Sequence, residues 1–332
     1  MAASPATPEP AHPLLCRNYA IFTPPIAEFG AALQRWAADR LPGALVTGHT
    51  RTGKTTAIMH WAAMLLRESE GPSLPVLTLN ALDRRASPGL FWAQCLRSTA
   101  LAPWKSGTAL HRFDRLVCAL CRRALDHSSP YLVLLIDEAN NLGAQHWQGL
   151  KNLQNELNAN GTSLTVISVG THELGFAHKT LTLAGEAHLT ARFMVQHLPF
   201  RGLRDVGELR FVLQSYDEHS RWPVPDGPTY TQYFAPAAFA NGFRLAEAAP
   251  VMWQALTERL PASPVEGQLE IPMAFVGMLV EHVLRHAGQG EPGRLLARRA
   301  LDEALRARNF VQHMQVVQQQ ASYRKARQLS AT

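Results

Sequence analysis

The sequence is poor in several features, and each absence excludes a class of protein. Four cysteines in 332 residues are too few for a disulfide framework, so a reducing cytoplasm is the expected setting. The cleanest apolar run, Tyr131–Ile136, is six residues long. A membrane span needs roughly 18–20, so no membrane association is expected. The N-terminus, MAASPATPEPAHP, has neither a basic start nor an apolar stretch, which argues against a secretory leader. Residues 1–13 are expected to be disordered. Cys118 and Cys121 form a C-x-x-C in a helical stretch with no second pair at zinc spacing, so they read as helix packing. The 14 histidines include no H-E-x-x-H, and no metal is assigned to them. No internal repeat of 20–50 residues is present. Lysine is scarce, with five in all.

Acidic residues are scarce at the C-terminal end. From Pro292 to Thr332 there are eight basic residues and two acids, Asp302 and Glu303. The whole chain carries +6, so all of its net charge lies there and residues 1–291 balance. A basic tail suits a polyanion or an acidic partner surface, and a solvated helix face is the plainer alternative.

What is present is 46% apolar residues, enough for a substantial core, in an alternating pattern of strands and helices. Ile26, Phe29, Leu33 and Trp36 lie at helical spacing within 25–41. Strands are expected at Gly43–Thr47, Leu74–Asn80, Tyr131–Ile136, Ser163–Gly170 and Phe193–Leu198. Helices are expected at 55–66 and 144–159, with a helical region over 89–126. This alternation predicts an α/β fold with a parallel sheet. After Pro199 the pattern turns helical, over 203–220, 235–260, 271–286 and 292–320. The expected organisation is a disordered 1–13, a nucleotide-binding α/β core with its lead-in helix over 14–199, a helical lid over 200–305 and a basic tail over 306–332.

Gly48-His49-Thr50-Arg51-Thr52-Gly53-Lys54-Thr55 matches G-x-x-x-x-G-K-[ST], placed between a short apolar strand and a helix. The glycines let backbone N–H groups turn toward phosphates, Lys54 reaches the β- and γ-phosphates, and Thr55 ligates Mg²⁺. Thr56 is counted with this ATP-binding set. Asp137 ends a buried strand, where a carboxylate binds Mg²⁺ through water, and Glu138 is placed to polarise an attacking water. A Glu that merely caps the next helix is the alternative. The adjacent acids point to an ATPase with an additional strand in its sheet. Thr171 follows the fourth strand, where it can contact the γ-phosphate or the water; Ser168 competes, as does a simple helix cap. Arg192, before the fifth strand, can serve a neighbouring subunit as an arginine finger, or pair with Glu186 or Asp205 on the surface. Arg294 starts a helix after a Gly-rich turn and can couple nucleotide charge to lid closure.

In this order and spacing, the motifs resemble the AAA+ ATPases over roughly 14–305. Within them the sequence is similar to the TniB/TnsC group of transposition regulators. The similarity rests on RNYAIFTP, GHTRTGKTT, LLIDEANNL, VISVGTHEL, the TARF segment and the terminal G-x-P-G-R-L-L turn, with ELRFVLQSYDEHSRWP alongside. The resemblance implies an ATP-dependent oligomer on double-stranded DNA, a ring or helical filament, linking a target-selector protein to a transposase. It also implies DNA-backbone contacts from loops after the core strands, for which Arg84 and Arg85 are the candidates by position. A salt-bridged surface pair is the alternative for them.

Two other classes share part of the pattern. A helicase- or clamp-loader-type ATPase shares every motif up to the lid; it would normally bring a winged-helix or zinc module, for which the last 30 residues are short. A small-molecule kinase shares the phosphate loop but usually lacks the Asp-Glu pair, the arginine before the fifth strand and the helical lid. A signalling switch would bring a repeat or receptor module.

Overall fold

The computed structural model describes residues 11–71, 74–81, 87–261, 270–287 and 292–329, with only the backbone at 292–293 and 321–329. The chain divides into two compact units, Pro25–Gly202 and Met1–Pro24 together with Leu203–Thr332.

The first unit is built on five strands: β1 Gly43–Thr47, β2 Val76–Asn80, β3 Tyr131–Asp137, β4 Ser163–Gly170 and β5 Gln196–Pro199. They form one parallel sheet in the order β2-β3-β4-β1-β5. Every residue of β1 and β3 is buried, as expected of strands covered by helices on both faces. β4 lies between β1 and β3, pairing Thr47 with Gly170 on one side and Ile136 with Ser168 on the other. This is the additional strand that the Asp-Glu pair implied.

The covering helices have local causes. Ser87 caps Pro88–Ser98 by accepting the Leu90 N–H, and Pro88 occupies the first turn, where its missing N–H costs nothing. Thr108 caps Ala109–Asp126 in the same way. The expected helical region 89–126 is therefore two helices joined by residues 99–108. Trp147, Leu150, Leu153 and Leu157, on the inner side of Ala144–Ala159, pack with Phe91, Leu96, Leu132, Leu134 and Phe193 in one core.

The fifth strand starts later than the sequence suggested. Phe193 closes the helix Ala187–Phe193 and is wholly buried, 5.5 Å from the Trp147 ring; the strand begins at Gln196. A short apolar run can bury itself from a helix as well as from a strand, so the pattern alone misplaced the boundary.

The second unit is helical. Val206–Glu218, Ala249–Thr257, Met273–Ala287 and Arg298–Ala307 enclose a core that includes Leu209, Tyr216, Met252, Phe275 and Leu301. The expected helical stretch 235–260 is broken into Pro236–Ala240, a 3₁₀ turn and Ala249–Thr257, and a further short helix, Tyr230–Phe234, precedes it. The tail expected over 306–332 contains a helix, Phe310–Leu329, anchored in this core by Phe310 and Met314.

The lead-in belongs here too, which corrects two sequence expectations. Residues 14–24 were placed with the α/β core, yet Leu14 and Ile21 join the helical core. Residues 1–13 were expected to be disordered; residues 1–10 lie outside the described residues, but His12 is 2% exposed, against Tyr230, Tyr233 and Phe234 at 4.4–4.6 Å between centroids. Pro13 begins a helical turn, Pro13–Cys16. Buried Glu281 ties the segment down, accepting from Arg17 Nε at 3.0 Å and Tyr19 Oη at 3.3 Å.

Candidate nucleotide site

The carboxyl edge of a parallel sheet is where open α/β folds bind ligands, at the point where strand order reverses. Here β1, β3 and β4 bring the sequence candidates to that edge. β1 runs into the loop Gly48–Gly53, and the following helix opens at Lys54.

Two glycines in the loop have steric causes. A Cβ on Gly48 would lie 2.1 Å from the Phe200 carbonyl oxygen, so no side chain fits where the end of β5 crosses. Gly53 has φ 109°, a left-handed conformation that costs other residues strain. Thr52 is buried and donates to the His49 carbonyl at 2.9 Å, bracing the loop. His49 lies 4.4 Å from the ring of His172, which follows Thr171. Thr50, Arg51 and Thr55 are exposed, and Thr56 is partly exposed.

Lys54 is buried, with its ammonium donating to the carbonyls of Gly48 at 3.0 Å and His49 at 2.7 Å. Burial pulls its pKa down to about 8, against the opposing pull of Glu138 and Asp137. Both carboxylates therefore act on the lysine charge.

Asp137 ends β3 and is buried. Its Oδ1 accepts the Glu138 N–H at 2.9 Å, and Oδ2 has no hydrogen-bond partner among the described residues. Glu138 has φ 52° and ψ 37°, left-handed for a non-glycine residue, and its side chain is exposed. Such backbone strain costs on the order of 1 kcal/mol and tends to gather at functional sites. Glu138 makes no capping hydrogen bond to the turn after it, so the cap alternative does not describe it.

Thr171 follows β4 directly. Its hydroxyl is buried without a hydrogen-bond partner, and it caps no helix. Ser168 also has an unpartnered hydroxyl, but it lies inside the sheet, opposite Leu45 and Ile136. The strand tip therefore belongs to Thr171.

Asn140 was not among the sequence candidates. Its Oδ1 accepts the Thr171 N–H at 3.3 Å, linking the turn after Glu138 to the tip of β4. Asn141 donates to the Ala81 carbonyl at 2.7 Å, reaching the end of β2. The visible signal was the Asn-Asn pair directly after Asp-Glu; what those side chains hold together depends on strand order.

Arg192 Nη1 donates to Asn155 Oδ1 at 2.7 Å and to the Lys151 carbonyl at 3.4 Å. Neither Glu186 nor Asp205 pairs with it: Glu186 lies 3.5 Å from His188 Nε2, and Asp205 caps the helix Val206–Glu218. Its charge is thus not neutralised by any carboxylate among the described residues. Arg201, by contrast, is buried and held by both oxygens of Glu28 at 3.0–3.1 Å from Nε. Arg294 is exposed, on the short helix Pro292–Leu295 of the helical unit, and its side chain makes no hydrogen bond to another described residue. Arg84 and Arg85 lie outside the described residues.

Cys118 and Cys121 are free thiols, and no metal-binding group of three His, Cys, Asp or Glu occurs among the described residues. No helix of the described residues is long and apolar enough to cross a membrane.

Residues 42–176 match the family model of an AAA domain, which spans β1 to just beyond β4. No curated protein matches the chain by sequence. Among solved structures, the chain is similar to Drosophila ORC bound to DNA, with a TM-score of 0.52 at 14% identity, over 83% of this chain and 65% of that one. It also matches the Aeropyrum pernix ORC2 protein in ADPNP–ADP complexes, at TM-score 0.48 and 16% identity, over 84% and 71%. The Aeropyrum pernix ORC1 protein in complex with DNA matches at 0.44 and 17%, over 81% and 69%. The fold is that of an AAA+ P-loop protein, an α/β domain with a helical C-terminal region.

Proposed function

We propose that this chain is an ATP-hydrolysing AAA+ protein that assembles on double-stranded DNA and regulates transposition, linking a target-site selector to a transposase. The single observation supporting the ATPase reading is the insertion of β4 between β1 and β3. That order gathers the phosphate loop, the Asp137-Glu138 pair and the Thr171 tip at one sheet edge. A kinase needs a phosphate loop but no second acid or sensing hydroxyl on a neighbouring strand.

The side chains fit a nucleoside triphosphate with Mg²⁺. Thr55 and Asp137 would hold the metal, which neutralises charge on the β- and γ-phosphates. The buried, unpartnered Thr171 hydroxyl suits a γ-phosphate oxygen or the attacking water. Glu138 accepts a hydrogen bond from that water and raises its nucleophilicity; Lys54 offsets charge accumulating on the phosphoryl oxygens. Arg192 supplies a cation to a neighbouring subunit's site, and Arg294 couples nucleotide charge to movement of the helical unit.

Transposition, the target selector and the transposase rest on the sequence resemblance quoted above. A second reading, an AAA+ loader of replication, is favoured by the fold shared with Drosophila ORC. Electron microscopy of the protein with ATP, Mg²⁺ and duplex DNA, followed by capture with a candidate transposase, separates the two. Rings or filaments on DNA that retain transposase support the proposal. Assemblies that retain a replicative helicase and no transposase support the loader.

A further inference from the structure

The rings of His49 and His172 have no part in the phosphate chemistry above, yet they meet at the edge of the site. Their centroids are 4.4 Å apart with the planes at 69°, edge to face, and both residues are partly buried. His49 belongs to the phosphate loop, and His172 directly follows Thr171.

The contact extends a seam between the loop and β4. The β1–β4 ladder ends with Thr47 opposite Gly170, and the Gly48 N–H adds one more bond, to the Gly170 carbonyl at 3.2 Å. The two rings close the seam one step further along. From the β3 side, Asn140 holds the same strand tip. Its Oδ1 accepts the Thr171 N–H at 3.3 Å, and a Cβ on Gly170 would lie 2.7 Å from that oxygen. Thr171, whose hydroxyl is buried without a partner, is therefore held between two fixed points.

His49 has a second link, to the cation of the loop. Its carbonyl accepts from Lys54 Nζ at 2.7 Å and from Thr52 Oγ1 at 2.9 Å. When the Lys54 ammonium turns to a phosphate oxygen, one of these two donors leaves the His49 carbonyl. One residue thus carries both a bond that phosphate binding exchanges and a ring contact that reaches the Thr171 tip. Packed and hydrogen-bonded chains couple two sites when one link has two arrangements, and Lys54 is that link here.

We propose that His172 is a positioning residue: through His49 it makes the placement of Thr171 depend on what fills the phosphate loop, and so raises the affinity for ATP relative to ADP. This rests on the ATPase reading above and adds to it the means by which the third phosphate is told apart. An edge-to-face ring contact is worth about a 2- to 10-fold preference, which sets the size of the effect.

The test uses full-length protein carrying His172→Ala, His49→Ala, the two combined, or His172→Phe, which keeps a ring at the contact. Displacement of a fluorescent nucleotide measures ATP and ADP affinity, and phosphate release measures kcat and KM. In His172→Ala the ratio of ATP to ADP affinity falls about 3- to 10-fold and kcat falls with it, while ADP affinity stays at the wild-type value. The combined variant loses no more of that ratio than His172→Ala alone, since the two rings act as one link. His172→Phe retains most of the ratio. An unchanged ratio and kcat in His172→Ala overturn the proposal, as does an equal loss of ATP and ADP affinity, which a packing role alone gives. A combined loss equal to the product of the single losses, or a His172→Phe protein no better than His172→Ala, also overturns it. If His172→Ala does not fold, His49→Ala and His172→Phe carry the comparison, the first losing the ratio and the second keeping it; the same ratio in both overturns the link. A wild-type protein that binds neither nucleotide overturns the ATPase reading itself, and the link with it.

Discussion

At the scale of single residues, the site turns on one buried cation facing two carboxylates. The Lys54 ammonium is pulled down to about 8 by burial. Phosphate anions bind its charged form, so ATP affinity is expected to hold steady up to about pH 8. Above that it falls, by up to tenfold per pH unit, until the pKa of the phosphate-bound lysine is reached. Calorimetric titration from pH 7 to 10 measures this, and a flat profile would remove Lys54 from phosphate binding. Lys54→Ala should abolish binding, with loss of the main charge facing the phosphates. Glu138→Gln should bind ATP and hydrolyse it slowly, since an amide cannot take a share of the water's proton. Wild-type turnover in that variant would take Glu138 out of the mechanism. Asn140→Ala frees the Thr171 backbone from its hydrogen bond. One such bond is worth about 1 kcal/mol, so turnover should drop severalfold with little change in ATP affinity. The places of Lys54, Thr55, Asp137 and Glu138 at the sheet edge were legible in the sequence because they follow directly from apolar strands along the chain. Asn140 was not, because its partner is 31 residues away across a strand order that no local pattern encodes.

At the scale of elements, the sheet explains what was readable. β1, β4 and the helix Ala144–Ala159 have the bounds that the sequence suggested, since each is an apolar or amphipathic run between clear breakers. β5 was misplaced because its neighbour helix hides Phe193 and Met194 in the same core. The contact between the loop and the end of β5 gives a stability prediction. Gly48→Ala sets a methyl against the Phe200 carbonyl, and a backbone shift of that kind typically costs about 1–3 kcal/mol. Urea unfolding of the variant measures it; wild-type stability would mean that β5 gives way freely. The buried Arg201 is held by Glu28, whose side chain is 48% exposed. Glu28→Gln keeps the shape and removes the counter-charge, so a smaller loss, about 1–2 kcal/mol, is expected in the same experiment. This also separates two arginines that look alike in sequence: Arg201 is spent inside its own unit, whereas Arg192 keeps an unneutralised charge.

At the scale of the whole molecule, the chain returns on itself. Residues 11–24 precede the α/β unit in sequence but pack with the helical unit that follows it. Hydrophobic spacing could show that Leu14 and Ile21 would be buried, but not against which core. If Arg192 acts as proposed, the site is one that a single subunit cannot complete, because its last cation comes from a neighbour. If Arg192 only braces Asn155, its loss costs at most about 1 kcal/mol of stability and leaves turnover intact. The direct measurement is ATP turnover on duplex DNA by Arg192→Ala, by Lys54→Ala and by the two mixed. Each variant alone should be inactive, Arg192→Ala while still binding ATP. The mixture should recover part of the activity, because some interfaces then pair an intact Lys54 with an intact Arg192. Full turnover by Arg192→Ala alone, or a mixture no more active than its parts, would contradict a site shared between subunits.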